Sequence, residues 1–457
     1  MKAYFFNLWD SARTSFWFVP SLFVVSAITL ALLMPLVDST VAEAGWDLPE
    51  WIHTETDTAR STLSSLLGAM VAVTGTVFSI TVVSLSLASQ QFGPRLLRRF
   101  MYDLPTQVTL GVFLATAFYC LLLLRVVESR RDGVTVPHLS VLVAVIFAVM
   151  SMMTLIVFIH HVSTLIQAPH IVAAVAVDLD DAIDRLFPER IGGVASDRDA
   201  TNVSGRAQAD ALGDDYVTIP ATKAGYILAR GGEGISDLSR EEHLVVRLEL
   251  RPGHFMSPDV PLAHVWTARS ESGDELDHDE ITERLNDKVI VGVRRTPRQD
   301  VECAISELVE VAVRSLSAGI NDPFTAINCV DRLGASLARL AEREMVSPYR
   351  LDDEGRLRVV ATTATFGSLL DASFNMIRQY GRDSVAVTIR MLETLASVAL
   401  RVHRDDDRLA LARHAEMVAR NAESYPEEND RRHVRDRLER FYAANQPASH
   451  DDPALPT

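Results

Sequence analysis

The sequence predicts a chain in two parts: an α-helical integral membrane domain of four spans, then a cytoplasmic α+β region in which a small β-barrel precedes a helical bundle. Three observations carry this. Four apolar runs fall within the first 160 residues, each long enough to cross about 30 Å of hydrocarbon. Charge is partitioned: residues 1–165 hold 9 Lys/Arg and 10 Asp/Glu, and the rest of the 457-residue chain holds 35 and 50, a net −15. Near residue 216 the pattern turns to short strands between turn signals, and near 300 it returns to helical periodicity. Hydrophobic residues at 48% exclude wholesale disorder, while 23% charged residues exclude a purely membranous chain.

The runs lie at 16–37, 63–87, 106–124 and 139–159, so the membrane domain is placed at 1–165. Ala42-Glu43-Ala44 follows the first run like a cleavage site, but 22 apolar residues are too long for a signal peptide. Lys2 and Arg13 precede the first span, and Arg95, Arg98 and Arg99 lie between the second and third. The loop 38–60 carries one arginine against Asp38, Glu43, Asp47, Glu50, Glu55 and Asp57. The positive-inside rule then puts both termini in the cytoplasm and the acidic loop outside. One loop dissents, with Arg125, Arg130 and Arg131 partly offset by Glu128 and Asp132. No span has a central ionisable residue, which argues against a proton- or ion-coupled carrier.

The second span differs from the others. Ser65, Gly68, Ala72, Thr76, Ser79, Val83, Ser86 and Gln90 fall within an arc of about 80° when successive residues advance by about 100°. A small-and-polar stripe of this kind suits close helix packing, because small residues let backbones approach. It also suits the wall of a water-filled pore, where hydroxyls partly replace hydration. Gly93-Pro94-Arg95 ends the helix, and a basic piece with Leu96, Leu97 and Phe100 follows.

In the second part, 166–213 reads as an amphipathic helix (170–187) and a linker (188–213). Strand-like pieces at 225–228, 243–250 and 261–266 define a barrel-like domain over 214–297, with the shape of a barrel-sandwich module but no modifiable lysine motif. Residues 298–444 form the helical domain. Its apolar faces are Val301, Ile305, Leu308, Ala312 and Ser315; Ile327, Val330, Leu333, Leu337 and Leu340; Phe366, Leu370, Phe374 and Ile377; and Ile389, Leu392, Leu395 and Ala399. A hairpin-like piece at 349–360 interrupts them. Residues 445–457 are a polar tail expected to be disordered.

Two places are candidates for binding. Arg294, Arg295 and Arg298 precede a helix N-terminus, which suits either an anion or ion pairs with surrounding carboxylates. In Ser317-Ala318-Gly319-Ile320-Asn321-Asp322-Pro323, Gly319 is expected at a left-handed C′ position, Asp322 as the cap of the next helix and Pro323 at its N1. Alternatively Asn321 and Asp322 touch a ligand or a neighbouring subunit. His160, His161 and His170 are expected at lipid headgroups rather than on a metal. The three cysteines have no metal-like spacing, and no nucleophile elbow, zinc-protease motif or phosphate loop is present. No enzyme activity, cofactor or metal is therefore expected. The acidity of the second part disfavours nucleic acid.

Several segments resemble the bacterial membrane proteins grouped as domain of unknown function 2254. They are Thr-Gly-Thr-Val-Phe-Ser-Ile at 74–80, Ser-Leu-Ala-Ser-Gln-Gln-Phe-Gly-Pro-Arg at 86–95, Ala-Gly-Tyr-Ile at 224–227, Arg295-Thr296 with Gln299-Asp300, and Gly-Ile-Asn-Asp-Pro-Phe-Thr-Ala at 319–326. Ala318 stands where the family often has proline. The resemblance implies an inner-membrane protein with a cytoplasmic domain and adds no activity. The sequence thus leads to a homo-oligomer in membrane lipid, with a channel-like pore lined by the second span. The alternative is a membrane-anchored sensor or scaffold that binds a small anionic ligand and does not conduct.

Overall fold

The computed structural model describes residues 17–44, 49, 52–93, 103–129, 137–165, 167–188, 197–267 and 277–446. Lys2, Arg13, the basic piece after Gly93, Arg130, Arg131 and the tail from 447 lie outside them. The chain divides into two compact units, residues 1–171 and 172–457.

In the first unit, α1 (Phe18–Glu43), α2 (Thr56–Phe92), α3 (Leu104–Ser129) and α4 (His138–Leu165) are each long and apolar enough to cross a membrane. α3 is the hub. Of its most apolar stretch 56% is buried inside the protein, against 11% for α2. Ala27 and Ala31 of α1, Ala115, Tyr119 and Leu123 of α3 and Ala144 of α4 share one core. Around Met70, Val77, Phe113 and Phe158 a second core joins α2, α3 and α4. A Cβ at Gly111 would stand 3.0 Å from the Phe23 ring, so α1 and α3 approach through that glycine.

Polar clasps close both ends of this bundle. α1 runs past the expected end of the first span, through Ala42 to Glu43, so Asp38 is a buried helical residue rather than part of an external loop. Its carboxylate accepts the backbone N–H groups of Leu139 and Ser140 at the start of α4. At the far end, Asp103 accepts from the Thr106 backbone and lies 2.8 Å from Nε2 of His161 in α4. His161 therefore meets a carboxylate where headgroup contact was expected, because the start of α3 lies beside the end of α4. Among the described residues no group of three potential ligands could hold a metal ion.

The second unit opens with α5 (Ala168–Leu186), amphipathic as expected, and α6 (Asp197–Asp210) inside the stretch read as a linker. Among the described residues eight strands form two open sheets. The larger has the order β1 (Val217–Pro220), β5 (Pro261–Thr267), β3 (Leu244–Leu248), β8 (Leu357–Ala361), β7 (Tyr349–Leu351). The smaller has the order β4 (Phe255–Met256), β2 (Gly225–Arg230), β6 (Val289–Gly292). The strands were expected to close a small barrel, but none is found among the described residues. The reason is non-local pairing: β8 arrives from beyond residue 350 and lies parallel to β3, which widens the sheet instead of closing it. Helices α7 (Gly232–Glu241) and α8 (His278–Asp287) then cover the sheet, with Ile235, Leu238, Ile281 and Leu285 packed on Leu244, Val246 and Val359.

Among the described residues six α-helices follow: α9 (Val301–Ser315), α10 (Pro323–Ala341), α11 (Phe366–Tyr380), α12 (Val385–Ala399), α13 (Asp405–Ala419) and α14 (Glu428–Ala444). The four apolar faces expected for this region point inward, and only Ile327 and Ile389 among them are half-buried. α5 docks on α10 through Ser336 to Asp180 at 2.6 Å and Arg339 to Asp184 at 2.9 Å.

Candidate functional site

The stripe on α2 is exposed at every one of its eight positions, Ser65, Gly68, Ala72, Thr76, Ser79, Val83, Ser86 and Gln90. Packing inside the unit is done by Ala59, Leu63, Met70, Val77 and Ala88, all nearly inaccessible. At about 100° per residue these centre roughly 155° from the stripe, so the stripe points directly away from its own bundle. A Cβ at Gly68 or Gly75 would meet nothing. The Thr76 hydroxyl donates to the Ala72 carbonyl at 3.1 Å, which leaves its oxygen lone pairs outward.

The basic turn resolves into separate roles. Arg295 is engaged twice by Asp300, Nε to Oδ2 at 2.7 Å and Nη2 to Oδ1 at 2.9 Å. Asp300 also caps α9 by accepting from the Cys303 N–H. Arg294 and Arg298 are exposed; the Pro297 carbonyl accepts from Arg185 at 3.1 Å. Gly253 makes room for the ion pair. Its φ is +92°, and a Cβ there would overlap the Asp300 carboxylate and stand 2.8 Å from Nη2 of Arg295.

The sequence profile of the predicted membrane protein family DUF2254 matches residues 13–397, which takes in all four spans, both sheets and most of the helical region. The chain belongs to the DUF2254 family. Uncharacterised proteins of Mycobacterium tuberculosis and Mycobacterium bovis are similar, each 30% identical over 375 residues, which is 82% of this chain and 70% of theirs. No solved structure matches.

The Asn-Asp-Pro turn of this DUF2254 protein is built as a helix junction. Asp322 caps α10 by accepting from Phe324 N at 3.1 Å and Thr325 N at 3.2 Å, with Pro323 at the first position. Gly319 was expected in the left-handed conformation, but Asn321 takes it at φ +49°, which an asparagine side chain tolerates. That geometry lets the Asp322 N–H reach the Ser315 carbonyl at 2.7 Å. No contact joins Asn321 or Asp322 to the arginine turn among the described residues.

A cleft of about 590 Å³ borders the arginine turn, lined by residues that no local motif brings together. Arg230, Arg240, Arg251 and Arg350 line it, with Asp237, Asp300 and Glu302. Each carboxylate is paired with arginine: Asp237 with Arg240, Asp300 with Arg295, and Glu302 with both Arg251 and Arg295. Arg230 does not share in this. Its guanidinium donates to the Leu250 and Thr362 carbonyls, each at 3.0 Å, and no carboxylate pairs with it among the described side chains. Burial, then the like charges of Arg350 and Arg251, push its pKa down to about 10. His254 accepts from Nε of Arg251 at 3.1 Å, and burial and Arg251 hold its pKa below the usual histidine value.

Proposed function

We propose that this DUF2254 protein works as a homo-oligomer in the bacterial inner membrane, with copies of α2 meeting along the stripe to enclose a gated, channel-like path. Unit 2, on the cytoplasmic side with both termini, assembles the copies and biases their state. The observation that supports this is the direction of the stripe. A helix face set opposite its own packing face and facing only lipid would be expected to carry Leu and Ile. This one carries Ser, Thr, Gly and Gln, which permit close backbone approach and contact with water.

Cysteine scanning tests it. Single cysteines at positions 72, 76, 79, 83 and 86 should cross-link between copies and react with a water-soluble thiol reagent. Cysteines at 70 and 77 should do neither. The purified protein in a planar bilayer should pass discrete currents that the same reagent blocks. Protection of all five positions in an intact oligomer would overturn the path, and a monomer in native membranes would overturn the assembly.

A further inference from the structure

We infer that unit 2 binds a small organic phosphate in the cleft at Arg230, with the phosphate on that guanidinium and the organic body on the apolar floor. The site is independent of the path proposed for α2, and it differs from the arginine turn, whose Arg295 is already committed to Asp300.

Charge comes first. A guanidinium offers five N–H donors, and Arg230 gives one each to two carbonyls, so donors remain for an acceptor in the cleft. Its positive charge is half-buried, has no carboxylate among the described side chains and faces the like charges of Arg251 and Arg350. An unpaired buried charge is costly, and a bound anion removes that cost. This positive spot lies in a unit whose net charge is −15, so a surrounding field does not account for it.

The backbone adds to the charge. Strand β2 ends at Arg230 and passes through Gly231 and Gly232 directly into α7. The N-cap is Gly231, which supplies no side chain to the free N–H groups of the first turn, and Gly232 lines the cleft. A glycine-rich turn from strand to helix is a place where phosphate oxygens are accepted readily. A doubly charged group with three acceptor oxygens matches Arg230, the helix start and Arg350 better than a carboxylate does.

Size and polarity supply the rest. A volume of about 590 Å³ falls in the range of small-molecule sites and is far larger than a bare phosphate needs. Phe187, Ile235, Leu248, Val301 and Val359 give the cleft an apolar floor, and each is buried. A nucleoside monophosphate and a phosphatidic acid headgroup share the required chemistry.

The test is calorimetric titration of the full-length protein in uncharged detergent. The probes are adenosine monophosphate, short-chain phosphatidic acid, inorganic phosphate and adenosine. Saturable binding of either ester, with adenosine silent and inorganic phosphate much weaker, is the expected result. The ester that binds identifies a soluble or a lipid source. Arg350→Glu, a surface change, should weaken binding roughly 10- to 100-fold, the value of a charge-assisted contact. Arg230→Gln should do the same or abolish it. Binding of neither ester by the folded protein would overturn the site. Equal affinity for inorganic phosphate would overturn the ligand class, and unchanged affinity in Arg350→Glu would overturn the placement.

Discussion

Oδ2 of Asp38 accepts the backbone N–H of Ser140 at 3.0 Å, across 102 residues of chain. Its Oδ1 accepts Leu139 N at 2.8 Å, and the Ser140 hydroxyl donates to Oδ2. A carboxylate near the end of one span thus caps the first turn of another. The Tyr119 hydroxyl donates to the Ser140 carbonyl at 3.0 Å, which ties α3 to the same point. Asp38 and Ser140 are both buried, so the first N–H groups of α4 need such a partner in place of water.

Asp38→Ala should therefore loosen the bundle. A lost cap costs about 1–2 kcal/mol, and the buried Ser140 hydroxyl also loses its acceptor. Thermal unfolding in detergent should show a clear drop, with Asp38→Asn between it and wild type. Glu43→Ala, at an exposed position of the same helix, is the control and should change little. If the two alanine variants melt together, the cap contributes nothing.

Two glycines with positive φ separate backbone strain from crowding. Gly355 has φ +75° and open space around its missing Cβ, so Gly355→Ala should cost only the backbone term, about 1–2 kcal/mol. Gly253→Ala pays that and also displaces the Asp300 carboxylate that holds Arg295 and caps α9. Chemical denaturation should rank Gly253→Ala as the more damaging of the two. The reverse order would mean that the ion pair moves aside freely.

What was legible in the sequence is what is local. Four long apolar runs announce four spans, and buried faces such as Phe366, Leu370, Phe374 and Ile377 follow from spacing alone. Asp322 and Pro323 were readable as a cap because both act within three residues. Asp38 was not, since its partner lies 102 residues away and its charge looked like loop charge. α6 was missed because docking creates it: Gln208 accepts from Leu357 N at 2.8 Å and donates to the Gly355 carbonyl at 2.9 Å. The cleft was invisible for the same reason, as Arg350 reaches Arg230 and Arg251 through the pairing of β3 with β8 and of β8 with β7. In the stripe, the direction was the missing fact. Spacing shows that eight residues share a face but not which way it points.

Acid should weaken the hairpin of β7 and β8 through Asp352. Burial pushes this carboxyl up, but the Arg356 backbone N–H and the Arg358 and Arg356 guanidiniums outweigh it and hold the pKa to about 2. A carboxyl depressed in the folded state stabilises fully above its unfolded value near 3.8, and that contribution is lost as pH falls toward 2. Asp352→Asn keeps an acceptor oxygen for Arg358, which is 6% exposed and bonded at 2.8 Å, but removes the charge, at a cost of about 2 kcal/mol near pH 7. Unfolding curves at pH 7 and near pH 2 should show the gap between variant and wild type closing in acid. A gap that persists would mean that lost packing, not charge, causes it.

His414 should set a second pH dependence at milder acidity. The ring is fully buried, with Nε2 2.8 Å from Oδ1 of Asp371, and Nδ1 has no hydrogen-bond partner among the described atoms. Burial is the largest influence and lowers its pKa; Asp371 pulls the other way, while Arg413 and Arg378 add to the lowering. The folded state therefore holds the ring neutral, with the Nε2 proton given to Asp371. Between the folded value and the unfolded value of 6.5, only the unfolded chain takes up the second proton. Stability is then complete above about pH 6.5 and falls as the solution is acidified, by at most about 1.4 kcal/mol per pH unit for one proton. His414→Gln keeps a donor toward Asp371 without a titratable proton, so its stability should change less between pH 7 and 5 than that of wild type. Parallel curves for the two proteins would show that His414 is protonated alike in the folded and unfolded chains, and that its burial imposes no penalty on the charged ring.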